Sequence, residues 1–498
     1  MGDKVLNGVI DKEASLAGLH QTVDGPDGHF RQNNIDALAH IHIIYTTRVS
    51  PATRLHVFSR AIFDIIQPML RDLFFISCAC ATMAFAADSP VKDPTFSKDI
   101  APIFQKACQN CHRPGSIAPM SLLTYKDARP WARSIREKVI TRVMPPWHID
   151  RNVGVSKFKE DPSLTDDEIA TIVAWADHGA PEGNPTDLPA PRQFSDTDKW
   201  HIGAPDRVIS MKTPYTLKAK GGDEFFDVDI DPGLTEDMYI AAVETKPDLG
   251  FKAIHHATTN LVEDPEDDPV GLFLNEYAIG KAADIFPPNT GRLLKAGSKI
   301  HFNLHLHPVG TETPVQVSLG LRFFPKDVVP KYVAFTQHMG DVSDLDLPAG
   351  QISRNDGYFR LPRPAVLSAF QPHFHTLGKA QCVEAIYPDV RPDSARPGPA
   401  RTETLSCVSN AQFGWSLTYP YADDVAPVLP AGTVIHVITW HDNSDHNPHN
   451  LNPKNWKGYG QRTIDEMSFA WISLFYVDEA DYKERAAARA RALGASSN

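Results

Sequence analysis

From about Trp200 onward, apolar and polar residues alternate in short runs broken by Pro, Gly and Asp. "FFDVDIDPG", "KIHFNLHLHPVG", "VQVSLGLRFF", "GYFRLP" and "TVIHVITWHDN" have the period and composition of β-strands. A weak internal repeat runs through them. "LKAGSKIHF" (294–302) echoes "LPAGTVIHV" (429–437), with Gly297 matching Gly432 and His301 matching His436. Two β-sandwiches of one topology account for the repeat, with a boundary near "FFPKDVVPKY" (323–332). His301 and His436 recur at one structural place and read as strand-end or packing histidines, not ligands.

Upstream the period lengthens. Ile100, Ile103, Phe104 and Ala107 repeat at helical spacing. A second helix is predicted after Thr165, which forms a capping box with Glu168. Ile169, Ile172, Val173 and Ala176 line one face of it, and Gly179 ends it. "APEGNPTDLPAPRQF" (180–194), with four Pro and one Gly, predicts an extended, semi-rigid linker.

Residues 1–68 show no sustained amphipathic period. "MLRDLFFISCACATMAFAADSP" then starts at Met69, with Arg71 before an apolar run from Leu73 and an Ala84-Phe85-Ala86 cleavage site before Ala87. That is the pattern of a secretory signal peptide, although Asp72 offsets its basic end. Asp64, Pro68, Arg71 and Asp72 interrupt any longer apolar span, which disfavours a membrane helix. A lipoprotein reading at Cys78 leaves too short an apolar stretch. An internal signal implies a true start at Met69 and a mis-called extension over 1–68, in preference to a disordered arm. The expected fold is therefore multidomain: a small all-α domain followed by two all-β, jelly-roll-like sandwiches. Its parts are the extension 1–68, a signal peptide 69–86, a helical domain 87–180, a linker 181–199, sandwiches over 200–326 and 327–480, and a charged tail 481–498.

A chain of 498 residues is too long for one ordinary core, in keeping with several domains. A net charge of −12, without a basic patch interleaved with aromatics, argues against a nucleic-acid partner. Of six Cys, Cys78 and Cys80 fall in the signal segment. Cys382 and Cys407 lie in the strands "KAQCVEAIY" and "TETLSCVS", and a disulfide between them suits an oxidising compartment. Two free buried thiols are the alternative.

"KACQNCHRPG" contains C-x-x-C-H, the attachment motif of a c-type haem. Cys108 and Cys111 would bond the porphyrin, and His112 would stand beneath the iron. A bare redox or zinc C-x-x-C is the weaker reading, given the adjacent His. "RVMPPWH" offers Met144 as second axial ligand, held in an extended loop by the prolines. Met120 in "IAPMSL" is the rival. Helix, motif, Met loop and helix in this order resemble a small class I cytochrome c, and the resemblance favours Met144.

Four His-rich or Met-bearing stretches remain: "AIHHATTN" (His255, His256), "NLHLHPVG" (His305, His307), "FQPHFHTLGK" (His373, His375) and "RTIDEMSFAW" (Met467). Residues i and i+2 of a strand share a face, so a His-x-His pair can chelate a metal. An adjacent pair chelates only at a bulge or strand end, or through different ring nitrogens. Spacing alone does not name the metal.

In this order, the stretches between about 200 and 477 resemble the copper type II, ascorbate-dependent monooxygenases, the family of peptidylglycine α-hydroxylating and dopamine β-monooxygenases. The resemblance implies two coppers. His255, His256 and His305 hold the electron-transfer copper in the first sandwich; His373, His375 and Met467 hold the oxygen-binding copper in the second. His307 takes a supporting role beside the first. Two imidazoles and a thioether favour soft Cu(I), whereas zinc rarely takes Met. In the family the coppers face each other across a cleft, a substrate C–H bond is hydroxylated with O2, and the second oxygen atom leaves as water.

Peptide-amidating members carry an Arg for the substrate carboxylate where this chain has Gln371. They carry Asn and Tyr where it has Phe469 and Trp471. A peptide C-terminus is therefore a poor substrate, and an apolar small molecule a better one. The alternative is that Phe469 and Trp471 belong to the second sandwich's core. The expected protein is a periplasmic or otherwise exported monooxygenase without a stable membrane span. Its own haem domain would pass it electrons from a small reductant or redox protein. A haem–copper electron carrier without oxygenation, and a copper-binding protein with a decayed cleft, are the other readings.

Mature protein is expected to begin near Ala87 and to carry one covalent haem, checked by N-terminal sequencing and intact mass. Met144→Ala should abolish the weak absorption band of sulfur–iron ligation. Loss of that band in Met120→Ala instead would reassign the ligand.

Overall fold

The strand Lys299–Leu306 shows what the alternating pattern builds. Ile300, Phe302, Leu304 and Leu306 are fully buried in one core, while His301, Asn303 and His305 occupy the opposite face. The computed structural model describes residues 92–496 except 115, 117, 195–199, 264–271, 282 and 389–400. The predicted signal peptide and the residues before it lie outside the described residues.

Among the described residues the chain is mostly β, with three sheets in a sandwich, jelly-roll-like architecture. One four-stranded sheet has the order Glu224–Ile230, Lys299–Leu306, Ile254–Val262, Phe273–Ala278; another has the order Ile352–Arg360, Val434–Asp442, Gly378–Ile386, Thr402–Val408. Both place their strands first, fourth, second, third along the chain, so the weak sequence repeat corresponds to a repeated topology. An eleven-stranded sheet backs both. Its two halves join where Tyr332 and Val333 pair in parallel with Thr290 and Gly291. Each half closes a separate core against its own four-stranded sheet.

His301 and His436 sit at equivalent places in the two small sheets. The His301 ring is bonded by Asp229 (2.8 Å) and Asp227 (3.1 Å), and the His436 ring by Asp356 (2.7 Å) and Glu384 (3.1 Å). Cys382 and Cys407 oppose each other directly across two strands and are disulfide-bonded.

Upstream of the sheets lies a group of helices with a core of their own around Phe96, Phe104 and Trp175. Helix Ala101–Ala107 leads into the C-x-x-C-H motif, and helix Asp166–Asp177 opens with the Thr165–Glu168 capping box. Its buried face centres on Ile172 and Trp175; Trp175 was not in the predicted stripe, and Val173 is only half-buried. The Pro-rich linker is tied down rather than free: Phe96 and Ser97 donate to Pro181 and Glu182, and Gln105 exchanges bonds with Ala190 and Arg192.

Two departures from the expected boundaries matter for the site. The segment Trp147–Phe158, inside the expected helical domain, is stitched into the second sandwich. Ile149, Val155 and Phe158 are buried in that core, and Asp150 and Val155 donate to the carbonyls of Cys407 and Leu405 (both 2.8 Å). Apolar residues spaced along an extended, Pro-led loop carry no helix or strand period, so the pattern gave no sign of it. The expected charged tail is instead a helix, Glu479–Ser496. Tyr482, Ala486 and Ala492 pack on the second core, and Arg489 pairs with Glu403 (2.8 Å). Arg485 lies over the rings of Tyr332 (5.2 Å) and Phe475 (5.5 Å), covering apolar surface. No helix among the described residues is long and apolar enough to cross a membrane.

Gly154 lets the stitched segment approach closely. It has φ +65°, and a Cβ there would overlap the Leu405 carbonyl oxygen. Gly154→Ala should destabilise the protein by about 1–3 kcal/mol, read by denaturant unfolding, and should expose Trp147–Phe158 to limited proteolysis.

Candidate metal centre

The adjacent histidines meet the bulge that such a pair requires. Register shifts between Ile254 and His256, which face Leu306 and His305 respectively, so one extra residue is inserted at His255. Both imidazoles thereby join His305. Their Nδ1 atoms are 3.1 Å apart, and ligand nitrogens of all three residues lie within 4.8 Å of one another. That spacing suits nitrogens sharing one ion at about 2.0 Å each.

His305 is oriented from behind. Its Nε2–H donates to Asp223 (3.0 Å), and its ring stacks on Phe225 with centroids 4.4 Å apart. The nitrogen left over, Nδ1, is buried with no hydrogen-bond partner among the described residues. A buried imidazole nitrogen normally has one, so an ion at this point satisfies an otherwise orphaned atom. Burial holds His255 down to about 4 and His256 well below its ordinary value, so both rings are neutral near pH 7, as ligands must be. His307 is exposed and donates to the other oxygen of Asp223 (2.7 Å). It therefore braces Asp223 and is not in the converging trio. The trio is a site able to coordinate a metal.

The second set is built on one strand pair. Antiparallel pairing sets Gln371 opposite Trp471 and His373 opposite Phe469. His375 and Met467 lie just past the ends of these two strands. The His373 and His375 rings are 5.7 Å apart, and His373 stacks on Phe469 (4.3 Å). Beyond the regular ladder, Asp465–Met467 is fixed by three ties. His375 Nδ1–H donates to the Asp465 carbonyl (2.9 Å), leaving its Nε2 for a ligand role. The fully buried Glu466 carboxylate accepts from the backbone N–H of His375 (2.9 Å) and Leu377 (2.8 Å). The Met467 carbonyl accepts from buried His441 (3.1 Å), itself held by Asn355 (3.0 Å). Burial pushes the Glu466 carboxyl up to about 8.

His255 and His256 line one cavity together with His373 and His375, about 200 Å³ in volume. The first sandwich supplies one pair and the second sandwich the other. Thr463, two residues before Asp465, donates to Asp223 (3.2 Å) and so links the supports of both sets. Gln371, Phe469 and Trp471 do not line this cavity. Gln371 is committed to Glu276 (2.9 Å) and Thr418 (2.6 Å). Ala470, Ile472 and Leu474 fill the second core, so Phe469 and Trp471 are on the other face of their strand; Trp471 stacks on Phe273 of the first sandwich (4.5 Å). The pair is neither core nor cavity wall, but the seam between the sandwiches and the backing of His373.

At the helical end, Cys108 and Cys111 are free thiols. His112 Nδ1–H donates to the Met120 carbonyl (3.2 Å), which fixes its ring and leaves Nε2 unengaged by that bond. Met144 lies beyond helix Ala132–Ile140, its N–H donating to Lys138 (3.2 Å). Asp223, Glu466, His441 and His148, which also lines the cavity, were missed by the sequence reading. Each acts across dozens of residues or more, and no local spacing marks it.

No family model matches the chain, and no curated protein matches it. Solved structures similar to it include the infectious bursal disease virus VP2 subviral particle (12% identity, 60% of this chain and 77% of that one, TM-score 0.18). Others are an allantoicase (13%, 46% and 80%, TM-score 0.14) and the STIV MCP (8%, 49% and 97%, TM-score 0.20). Likeness at these TM-scores carries no argument about this chain.

Asp223→Asn should weaken metal binding at the first set by about 10–100-fold, and His305→Ala by more. His307→Ala should cost less than either. Metal titration of the full-length protein checks the order, and an equal loss in His307→Ala would make that residue a ligand.

Proposed function

We propose that the protein is a copper-dependent monooxygenase that hydroxylates a C–H bond of an apolar small molecule, with electrons entering through a c-type haem. The observation that carries this reading is that a histidine pair from each sandwich, His255 with His256 and His373 with His375, lines a single cavity. His255, His256 and His305 would hold one copper, and His373, His375 and Met467 the other. When bound, the coppers supply one-electron chemistry and O2 activation, and the haem supplies electrons.

The chain's own residues do the rest. Asp223 holds the His305 ring with Nδ1 free, and Asp465 holds the His375 ring with Nε2 free. Glu466 and His441 fix the backbone next to Met467, whose thioether would complete the second set. Phe273 and Trp471 stack across the seam between the sandwiches, and Phe469 stacks on His373. Gln371, spent on Glu276 and Thr418, offers no cation to a substrate carboxylate, in keeping with an uncharged substrate. Cys108 and Cys111 would bond the porphyrin and His112 would bind its iron. Since the Met120 carbonyl belongs to the support of His112, Met144 would be the better second residue to hold the iron. The disulfide fits an exported, periplasmic protein.

Reduced anaerobically and then given ¹⁸O-labelled O2 with small aromatic substrates, the protein should form a product carrying one label, read by mass. Met467→His should keep two coppers per chain yet lose most of that product, because the site would no longer favour the reduced metal. Electron transfer without labelled product would make the protein a haem–copper carrier. Zinc bound in preference to copper would overturn the reading altogether.

A further inference from the structure

The stitched segment brings one more imidazole to the cavity. His148 follows Met144 by four residues and lines the same cavity as the two histidine sets. Its place is fixed by its neighbours. Its backbone N–H donates to the Tyr419 hydroxyl (3.3 Å), the preceding Trp147 packs edge-on against Tyr419 (4.8 Å), and Asp150 is bonded to Cys407. Yet His148 Nε2 is buried with no hydrogen-bond partner among the described residues. Burial lowers the pKa of the ring, so near pH 7 it is neutral and can donate or accept. The wall beside it is largely apolar, with Val408, Phe413, Trp415, Leu417 and Tyr419. Glu276, also in the wall, is already bonded to Gln371.

We propose that His148 anchors the polar end of the substrate, which is a single-ring or similarly sized apolar molecule bearing one uncharged hydrogen-bonding group such as a hydroxyl. The size follows from the volume. An apolar cavity of about 150 Å³ takes benzene, so about 200 Å³ accommodates one ring with a small substituent. The polarity follows from a buried nitrogen that lacks a partner beside the apolar stretch Val408, Phe413, Trp415 and Leu417, since a site built to bond a substrate hydroxyl rejects the analogue without it. Calling the occupant a substrate rests on the monooxygenase reading; its binding does not.

The test is calorimetric titration of the copper-loaded, full-length protein with benzyl alcohol and with toluene, kept anaerobic. Wild type should bind the alcohol about tenfold tighter, the worth of one good hydrogen bond. His148→Ala should bring the ratio close to one, and His148→Gln should keep part of it. Copper per chain and thermal unfolding should be unchanged in both variants. An unchanged ratio in His148→Ala, or no binding of either probe to wild type, would overturn the proposal. Loss of a copper in His148→Ala would overturn it too, by making His148 a ligand. If the ratio responds as expected but no labelled product ever forms, the binding site stands and the monooxygenase reading falls.

Discussion

One strand register decides what this protein can do: the pairing of Ala365–His373 with Phe469–Tyr476. Side chains alternate strictly along a strand, so a slip by one residue would exchange its two faces. In the observed register Phe370, Ala470, Ile472 and Leu474 are buried in the second core. The same alternation turns Gln371, His373, Phe469 and Trp471 the other way, toward the first sandwich. The core residues therefore enforce the position of His373 and of Phe469 and Trp471. Leaving the core empty on one side is costly enough that these side chains need not stabilise their own geometry. Past the end of the ladder, Glu466 takes over by accepting from His375 and Leu377, and so ties the segment before Phe469 to the segment after His373.

A second constraint makes the site a joint product of both sandwiches. The eleven-stranded sheet is continuous across them, and contacts such as Phe273–Trp471 and Glu276–Gln371 close the remaining gap. Asp223 reaches from the first sandwich to His305, His307 and Thr463 at once. A change that separates the sandwiches would spoil the cavity even with every lining histidine intact. The segment after Met144 adds a third contributor, since its Ile149, Val155 and Phe158 are part of the second core. The helical region and the cavity are mechanically connected, and a disturbance at the Met loop has a short route to the cavity wall.

What could be read from the sequence follows from what is periodic or local. Alternation gave the strands, the repeat gave the duplicated small sheet, and Thr165–Glu168 gave a helix start to the residue. The His-His pair stated its own requirement, a bulge, and the chain has one there. What escaped is non-local. Asp223 stands 82 residues from His305, and His441 stands 26 from Met467; an isolated Asp or His gives no sign of such a partner. Phe469 and Trp471 were read as either substrate-facing or core, because alternation fixes their shared face but not what lies against it. Trp147–Phe158 escaped because an extended segment bonded at a few points has no period to detect.

The most direct test of this account is the distance between the two metals. Pulsed electron paramagnetic resonance on the full-length protein loaded with two Cu(II) ions measures their dipolar coupling. The account predicts a clear coupling that vanishes in His373→Ala, where copper remains only at His255, His256 and His305. A wild-type spectrum equal to the sum of two uncoupled sites, or a second ion that stays bound when His373 and His375 are both replaced, would contradict it.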